Sequence, residues 1–274
     1  MRLFGLVLLP VLALLGCASD DAQAAADVVK ESGPLPSPGL AERTPTQRGG
    51  RILIFTRTKG FRHDSIPVGV RCLRDLAAEQ GLEVDQTEDP TRFNAAELAR
   101  FRCVVFLSTT GDILDPSQEK AFEEWMESGG TFLGVHAATD TEYGWPWYGK
   151  MVGAYFSNHP KVQPATQDVV DATHPSTAHL PARWRRTDEW YNFRSFEPDL
   201  HVLLRLDETS YTGGNNKNHP SAWCKAVGKG RMFYTAGGHT KESFAEPEFR
   251  AHLAGALRWL MDPSAVVTPS KADR

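Results

Sequence analysis

The stretch Thr131-Phe-Leu-Gly-Val-His-Ala-Ala-Thr-Asp140 decides how the chain is expected to fold. It follows the pair Gly129-Gly130, begins as a short apolar run and ends in small residues, as a buried strand entering a tight turn does. One polar side chain, His136, stands at the turn. In an open α/β sheet, ligands bind beyond the carboxyl ends of the strands. We therefore expect His136 to mark a functional site on which other parts of the chain converge.

Apolar runs and helical patterns alternate through the first half of the chain. The apolar runs predict strands at 51–55, 103–107 and 131–135, and the alternation of Leu82-Glu-Val-Asp85 predicts a strand at 82–85. Apolar residues at helical spacing predict helices after the first and third strands, and Asn94 is expected to cap a shorter helix at 95–100. Asp115-Pro116 is typical of a helix start and Gly129-Gly130 of a helix stop. The alternation predicts an α/β protein whose parallel sheet carries helices on both faces.

The second half of the chain shows a looser pattern with additional strands. They are expected at 162–170, 184–190 and 201–206, followed by a hairpin of 221–227 and 231–234 around Gly228-Lys229-Gly230. A final helix is expected at 247–261. We expect one folded domain at 50–262 and a short tail at 263–274.

Composition excludes one class of partner and leaves another open. The net charge of −4 and the pI of about 6.1 argue against a nucleic-acid-binding protein, which usually presents a basic face. Hydrophobic residues make up 41% of the chain, so a sizeable core is expected. The seven tryptophans and six tyrosines suit either that core or the faces of sugar rings.

The N-terminus is typical of a secreted, lipid-anchored protein. Leu3–Leu15 is an apolar run shorter than the roughly 20 residues that a membrane-spanning helix needs. Leu14-Leu15-Gly16-Cys17 resembles a bacterial lipobox, so residues 1–17 are expected to be a lipoprotein signal with lipid attached to Cys17. Residues 18–49 would tether the domain to the membrane of the cell envelope, facing the periplasm or the exterior. An ordinary signal peptide cut near Ala22-Gln23-Ala24 is the alternative.

The remaining cysteines indicate neither a disulfide framework nor a zinc knuckle. Cys72, Cys103 and Cys224 are odd in number and form no Cys-x-x-Cys pair. We expect Cys72 and Cys103 to be small buried residues.

Titratable side chains follow several of the predicted strands and are expected to share one crevice. The expected catalytic residues are His63, His136, Asp140, Glu189 and His239. The expected substrate-binding residues are Asp64, Asp112, Tyr143, Trp147, His159, Trp190, Tyr191 and His219. His63-Asp64 could instead cap the following helix, and His159 and His219 could be surface turn residues. The same groups could bind a divalent metal, but no spacing such as His-Glu-x-x-His is present, so a metal stays open.

Several motifs in order along residues 51–261 resemble the ThuA-like (trehalose utilisation) family. They are Lys59-Gly-Phe-Arg-His-Asp-Ser65, Gly134-Val-His-Ala-Ala-Thr-Asp140, Gly153-Ala-Tyr-Phe-Ser-Asn-His-Pro160, Asp188-Glu-Trp-Tyr191, His219-Pro-Ser-Ala-Trp223 and Gly230-Arg-Met-Phe-Tyr-Thr-Ala-Gly-Gly-His239. The resemblance implies the flavodoxin-like fold of the class I glutamine amidotransferase-like superfamily. That fold usually carries a cysteine nucleophile at the strand-to-helix elbow, where this chain reads Gly134-Val135-His136. Glutaminase activity, which needs that thiol, is therefore not expected.

The resemblance also implies a role in carbohydrate metabolism. ThuA-like proteins are linked to the breakdown of disaccharides, often through 3-keto intermediates, and many are described as secreted glycosyl hydrolases. We expect an enzyme that cleaves disaccharides or their 3-keto derivatives, by hydrolysis or by elimination, with His/carboxylate acid–base chemistry. Trp145, Trp147, Tyr148 and Trp190 are expected to stack on sugar rings. The alternatives are a non-catalytic carbohydrate-binding lipoprotein and a structural lipoprotein on an amidotransferase-like fold.

Overall fold

The structure is a computed structural model that describes residues 50–215 and 217–267. The predicted signal peptide, the lipidation site Cys17 and the tether lie outside the described residues, as do residues 268–274 of the predicted tail. None of the described helices is both long enough and apolar enough to cross a membrane.

Eleven strands and five α-helices are described. The strands are β1 (Arg51–Phe55), β2 (Glu83–Thr87), β3 (Cys103–Leu107), β4 (Thr131–Val135), β5 (Ala154–Asn158), β6 (Gln163–Val169), β7 (Arg183–Asp188), β8 (Asn192–Phe196), β9 (His201–Leu206), β10 (His219–Val227) and β11 (Gly230–Thr235). The helices are α1 (Ile66–Glu79), α2 (Ala95–Leu98), α3 (Pro116–Glu127), α4 (Pro146–Val152) and α5 (Pro247–Met261).

Nine of these strands form one mixed sheet in the order β2-β1-β3-β4-β11-β10-β9-β6-β7. The first five strands in this order run parallel, which confirms the predicted α/β architecture. The remaining strands continue the sheet in antiparallel fashion, and the expected β10–β11 hairpin is present. The order β2-β1-β3-β4 is that of a flavodoxin-like fold, in which ligands bind beyond the strand ends.

Helices cover both faces of the parallel half of the sheet because side chains alternate along each strand. On one face, Phe106 of β3 lies in a core with residues of α2, α3 and α4. On the other face, the neighbouring Val105 lies in a core with residues of α1 and α5. Asp115 caps α3 with a complete capping box, and Asn94 caps α2, as the sequence predicts.

Three elements were not predicted from the sequence. They are helix α4 and strands β5 and β8, which pair with each other in a separate two-stranded sheet. Phe156 of β5 and Tyr191, which directly precedes β8, border the site described below.

Candidate functional site

Three histidines and one glutamate meet beyond the carboxyl end of the parallel sheet. Nε2 of His136 lies 3.2 Å from Nε2 of His63 and 3.3 Å from Nδ1 of His239. Oε2 of Glu189 lies 3.1 Å from Nδ1 of His239 and 3.6 Å from Nε2 of His136. These four side chains, here called the histidine–glutamate cluster, were all predicted as catalytic, and the fold brings them together from four separate loops.

His136 is presented by a sharp turn directly after β4. Its backbone has a φ of +52°, a left-handed conformation that few residues other than glycine adopt. The carbonyl of His136 accepts a hydrogen bond from the Tyr234 hydroxyl at 2.8 Å, which fixes the turn against β11. A Cβ at Gly134 would lie 3.0 Å from Cδ2 of Tyr234, so any larger residue would push the Tyr234 ring away from the turn.

The imidazole of His136 is completely buried and held in a defined tautomer. Its Nδ1 lies 2.8 Å from the carbonyl of Ala236, which can only accept, so Nδ1 carries the proton. The ring of Tyr191 covers one face of the imidazole, with ring centroids 4.3 Å apart. Its Nε2 therefore points towards the other three members of the cluster.

His63 reaches the cluster from the loop after β1. It is buried, whereas the neighbouring Asp64 is exposed and forms an ion pair with Lys241 at 2.6 Å. Neither side chain caps α1; the capping position is Ser65, whose hydroxyl donates to the carbonyl of Gly238 at 3.0 Å. This bond ties the loop that carries His63 to the loop that carries His239.

Asp188 fixes the positions of Glu189 and His239, although the sequence analysis assigned it no role. Its Oδ1 accepts the backbone N–H groups of Glu189 at 2.9 Å and His239 at 3.1 Å. Its Oδ2 accepts the N–H of Gly238 at 2.8 Å and pairs with Arg186 at 2.8 Å. The period-2 pattern of β7 could have revealed this residue, because Arg186 and Asp188 share the inward face of that strand.

The surroundings of the cluster shift the pKa values of its members in different directions. Burial and the adjacent imidazoles of His136 and His239 lower the pKa of His63 to about 3. Although burial raises the pKa of Glu189, the adjacent His136 and His239 outweigh this effect and lower the pKa to about 2. Burial lowers the pKa of His239, but contact with the Glu189 carboxylate outweighs it and raises this pKa. At neutral pH the site thus combines a carboxylate with a neutral His63.

A cavity of about 290 Å³ opens onto the cluster. It is lined by Phe61, His63, Asp140, Phe156, His159, Glu189, Tyr191 and His239. Its volume is near the lower end of the about 300–1,000 Å³ range of small-ligand pockets. Phe61 and Phe156 were not predicted as site residues, although both stand within motifs that the sequence analysis identified.

Asp140 and His159 extend the polar lining of the cavity. Burial raises the pKa of Asp140, although the Tyr143 hydroxyl donates a hydrogen bond to its Oδ1 at 2.6 Å. Nδ1 of His159 lies 2.9 Å from both Oε1 of Glu189 and the carbonyl of Pro160. His159 is thus partly exposed but oriented by the cluster, as expected for a residue of the site.

Other predicted substrate-binding residues lie away from the cavity. His219 lies beneath Tyr191, because its Nε2 donates to the Tyr191 carbonyl at 2.7 Å and its Nδ1 contacts Glu208 at 2.8 Å. Asp112 is exposed on a loop whose backbone N–H groups at Ile113 and Leu114 bind a different carboxylate, that of Glu142.

The tryptophans expected to stack on sugars belong to the core instead. Trp190 is fully buried, and its indole donates to the carbonyl of Gln163 at 2.8 Å. Trp145 and Tyr148 are buried in the core that α3 and α4 share, and Trp147 packs against it beside Trp145. The aromatic lining of the cavity comes from Phe61, Phe156 and Tyr191.

Fold and site together define an α/β protein with a histidine-rich cleft at the carboxyl edge of a flavodoxin-like sheet. The chain matches the ThuA (trehalose utilisation) family over residues 51–260. It belongs to that family, as its motifs predict, and the family indicates a carbohydrate-related role. No functionally curated protein matches the chain.

Solved structures show the same fold. The chain is similar to a ThuA-like protein from Bacteroides uniformis, with 26% identity, a TM-score of 0.69 and coverage of 81% of this chain and 95% of that one. A ThuA-like protein from Parabacteroides merdae shows 18% identity, a TM-score of 0.63 and coverage of 82% and 96%. A β-galactosidase from Bacillus circulans shares 11% identity with a TM-score of 0.51, over 77% of this chain and 30% of that chain. At that identity the likeness shows the fold alone.

Proposed function

We propose that the protein is an enzyme that cleaves a glycosidic bond in a disaccharide or its 3-keto derivative. The observation that carries the proposal is the histidine–glutamate cluster, which lies beside a cavity with an aromatic lining. A binding module rarely needs so many convergent titratable groups, whereas an acid–base catalyst does. Membership of the trehalose utilisation family supports a sugar as the substrate.

Two carboxyl groups that line the cavity have opposite tendencies to ionise. Burial raises the pKa of Asp140, while the pKa of Glu189 is lowered to about 2 by His136 and His239 in spite of its burial. Pairs of titratable groups whose environments push their pKa values apart are typical of acid–base assignments. In the proposed reaction, Asp140 protonates the oxygen of the leaving sugar.

A 3-keto substrate would allow cleavage by elimination. The C3 ketone acidifies the hydrogen on C2, so a base removes that proton and an enolate forms. The C1–O bond then breaks, a C1–C2 double bond forms, and the leaving oxygen takes a proton from Asp140. His159 is the proposed base, because its Nδ1 faces Glu189 and Pro160 and its neutral ring therefore carries the lone pair on Nε2. The histidine–glutamate cluster would stabilise the enolate oxygen.

The test compares a 3-keto disaccharide with its unoxidised parent as substrates of the full chain. We expect cleavage of the 3-keto sugar and, for His136→Asn, a loss of at least about 100-fold in kcat/KM. Asparagine tolerates the left-handed conformation at this position, which preserves the turn. The matched control is His252→Asn, because His252 is also fully buried and its Nδ1 also lies 2.8 Å from a backbone carbonyl, that of Ser176, but outside the site.

The outcomes separate the candidate functions. Turnover that survives in His136→Asn would remove the cluster from the mechanism. Cleavage of the unoxidised sugar alone would replace elimination with direct hydrolysis. Sugar binding without a product from either substrate would support a carbohydrate-binding protein instead.

A further inference from the structure

We infer that the histidine–glutamate cluster is a binding site for one divalent first-row transition-metal ion, with His63, His136, His239 and Glu189 as its protein ligands. Each of these residues offers one ligand atom, and the four atoms lie within 4.8 Å of one another.

The distances within the cluster match the edges of a coordination polyhedron. Four of the six ligand-atom pairs are separated by 3.2, 3.3, 3.1 and 3.6 Å. Ligands at about 2.0–2.1 Å from a tetrahedral zinc ion would be separated by about 3.3–3.4 Å. The remaining two pairs lie within 4.8 Å, so side-chain rotation that draws the four atoms together would let one ion bind all of them.

Hydrogen bonds alone do not account for the arrangement. Because Nδ1 of His136 donates to Ala236, the neutral ring has a bare Nε2 lone pair that faces the carboxylate oxygen of Glu189 at 3.6 Å. His63 can donate an N–H to Nε2 of His136, and His239 can donate one to Glu189, but neither proton lies between Nε2 of His136 and the Glu189 carboxylate. One cation between the four atoms attracts all the lone pairs that face one another.

The contacts behind the ligands are of the kind that orients metal ligands. The far nitrogen of His136 donates to a backbone carbonyl, and Oε1 of Glu189 contacts Nδ1 of His159 at 2.9 Å. Asp188 holds the backbone of Glu189 and His239 together. The far nitrogen of His63, Nδ1, is buried and has no hydrogen-bond partner among the described residues, so the cluster provides the ring's polar contact.

The ligand types select the class of ion. Three imidazole nitrogens and one carboxylate oxygen suit zinc, iron(II), cobalt(II) or nickel, whereas calcium and magnesium prefer sites made of oxygen. Glu189, His63 and His239 also line the cavity, so a further coordination position of the ion would be open to a ligand from that side. If the proposed function holds, that position would receive the keto oxygen of the sugar and stabilise the enolate.

Metal binding is measured directly on the full chain. The protein is stripped with a chelator and titrated with Zn²⁺ in a calorimeter, and the Co²⁺ form is examined by visible and X-ray absorption. We expect one ion per chain, nitrogen and oxygen neighbours without sulfur, and a Kd raised more than about 100-fold by His63→Ala or by Glu189→Ala. His252→Asn is the control and should keep both stoichiometry and affinity.

Three results would overturn the inference: no stoichiometric binding of Zn²⁺ or Co²⁺, affinity unchanged in both ligand variants, or sulfur among the neighbours of the bound ion. The proposed function fails separately. Turnover together with no stoichiometric binding of Zn²⁺ or Co²⁺ would refute the metal site and leave the enzyme intact, while a bound ion without any product would do the reverse.

Discussion

Replacing Asp188 with asparagine should weaken both the fold and the site. The variant Asp188→Asn keeps the shape of the side chain but exchanges one acceptor oxygen for an NH2 group. In the native protein both oxygens accept: Oδ1 binds the N–H groups of Glu189 and His239, and Oδ2 binds Gly238 and pairs with Arg186. Either orientation of the amide therefore turns a donor towards two groups that can only donate.

The size of the effect follows from burial. Asp188 has no exposed surface, and the side chain of Arg186 is 3% exposed. Breaking a buried, hydrogen-bonded ion pair by removing one partner costs about 3–5 kcal/mol. A domain with about 5–15 kcal/mol of stability can fold without this contribution. The loop at His239 loses its anchor, so we expect activity or metal affinity to fall by about 10–100-fold.

The matched control removes the other partner of the same arginine. Glu246 pairs with Nε of Arg186 at 2.7 Å and is 28% exposed, whereas Asp188 accepts from the backbone N–H of His239. We expect Glu246→Gln to cost no more than about 1 kcal/mol and to leave the site unchanged. Urea unfolding gives the stability of each variant, and zinc titration or turnover gives the state of the site. Equal losses of stability in the two variants, or a destabilised Asp188→Asn with a native site, would refute the anchoring role.

Two further predictions concern stability with pH and the reactivity of thiols. Burial raises the pKa of Glu142 from 4.5 to about 7, so the folded state holds an extra proton across that window and its stability falls as the pH rises through it. The amide oxygen of Glu142→Gln can still accept from Ile113 and Leu114. We expect this variant to be more stable than the native protein at pH 8 by up to about 3 kcal/mol but similar at low pH. A difference in the free energy of unfolding that does not change with pH would contradict this. Mass spectrometry should find no alkylation of Cys72, Cys103 or Cys224 before unfolding, because burial raises the pKa of each thiol, and rapid native labelling of any one would contradict this.

The parallel half of the fold was predictable because its signals are local. Short apolar runs form β1, β3 and β4, and a capping residue marks the start of α3. The hairpin around Gly228 has a comparable signal, since a tight turn there requires a positive φ, observed at +54°. The pairing of β5 with β8 lacks such a signal, because two short strands more than thirty residues apart in the chain meet only through tertiary contacts.

The aromatic residues show where sequence reasoning about the site ends. Trp190 stands beside Glu189 and Tyr191, both of which line the cavity, yet its own side chain is buried on the other side. The three residues are adjacent in the sequence, but the direction in which each side chain points depends on how the segment between β7 and β8 folds. Exposed Phe61 lines the cavity and carried no signal that distinguished it from a core residue.

The histidines were predictable for a topological reason, and this reason also explains how the cluster is assembled. Parallel strands deliver the loops of β1, β4 and β11 to one edge, so His63, His136 and His239 had to lie near one another. Glu189 follows β7, the outermost strand of the sheet, and reaches the same point because Asp188 binds the loop after β11. At the elbow, where the wider fold usually carries a cysteine, this chain presents an imidazole to three partner side chains. The character of this site is therefore set by the three side chains that converge on His136, and the left-handed turn serves to present its Nε2 to them.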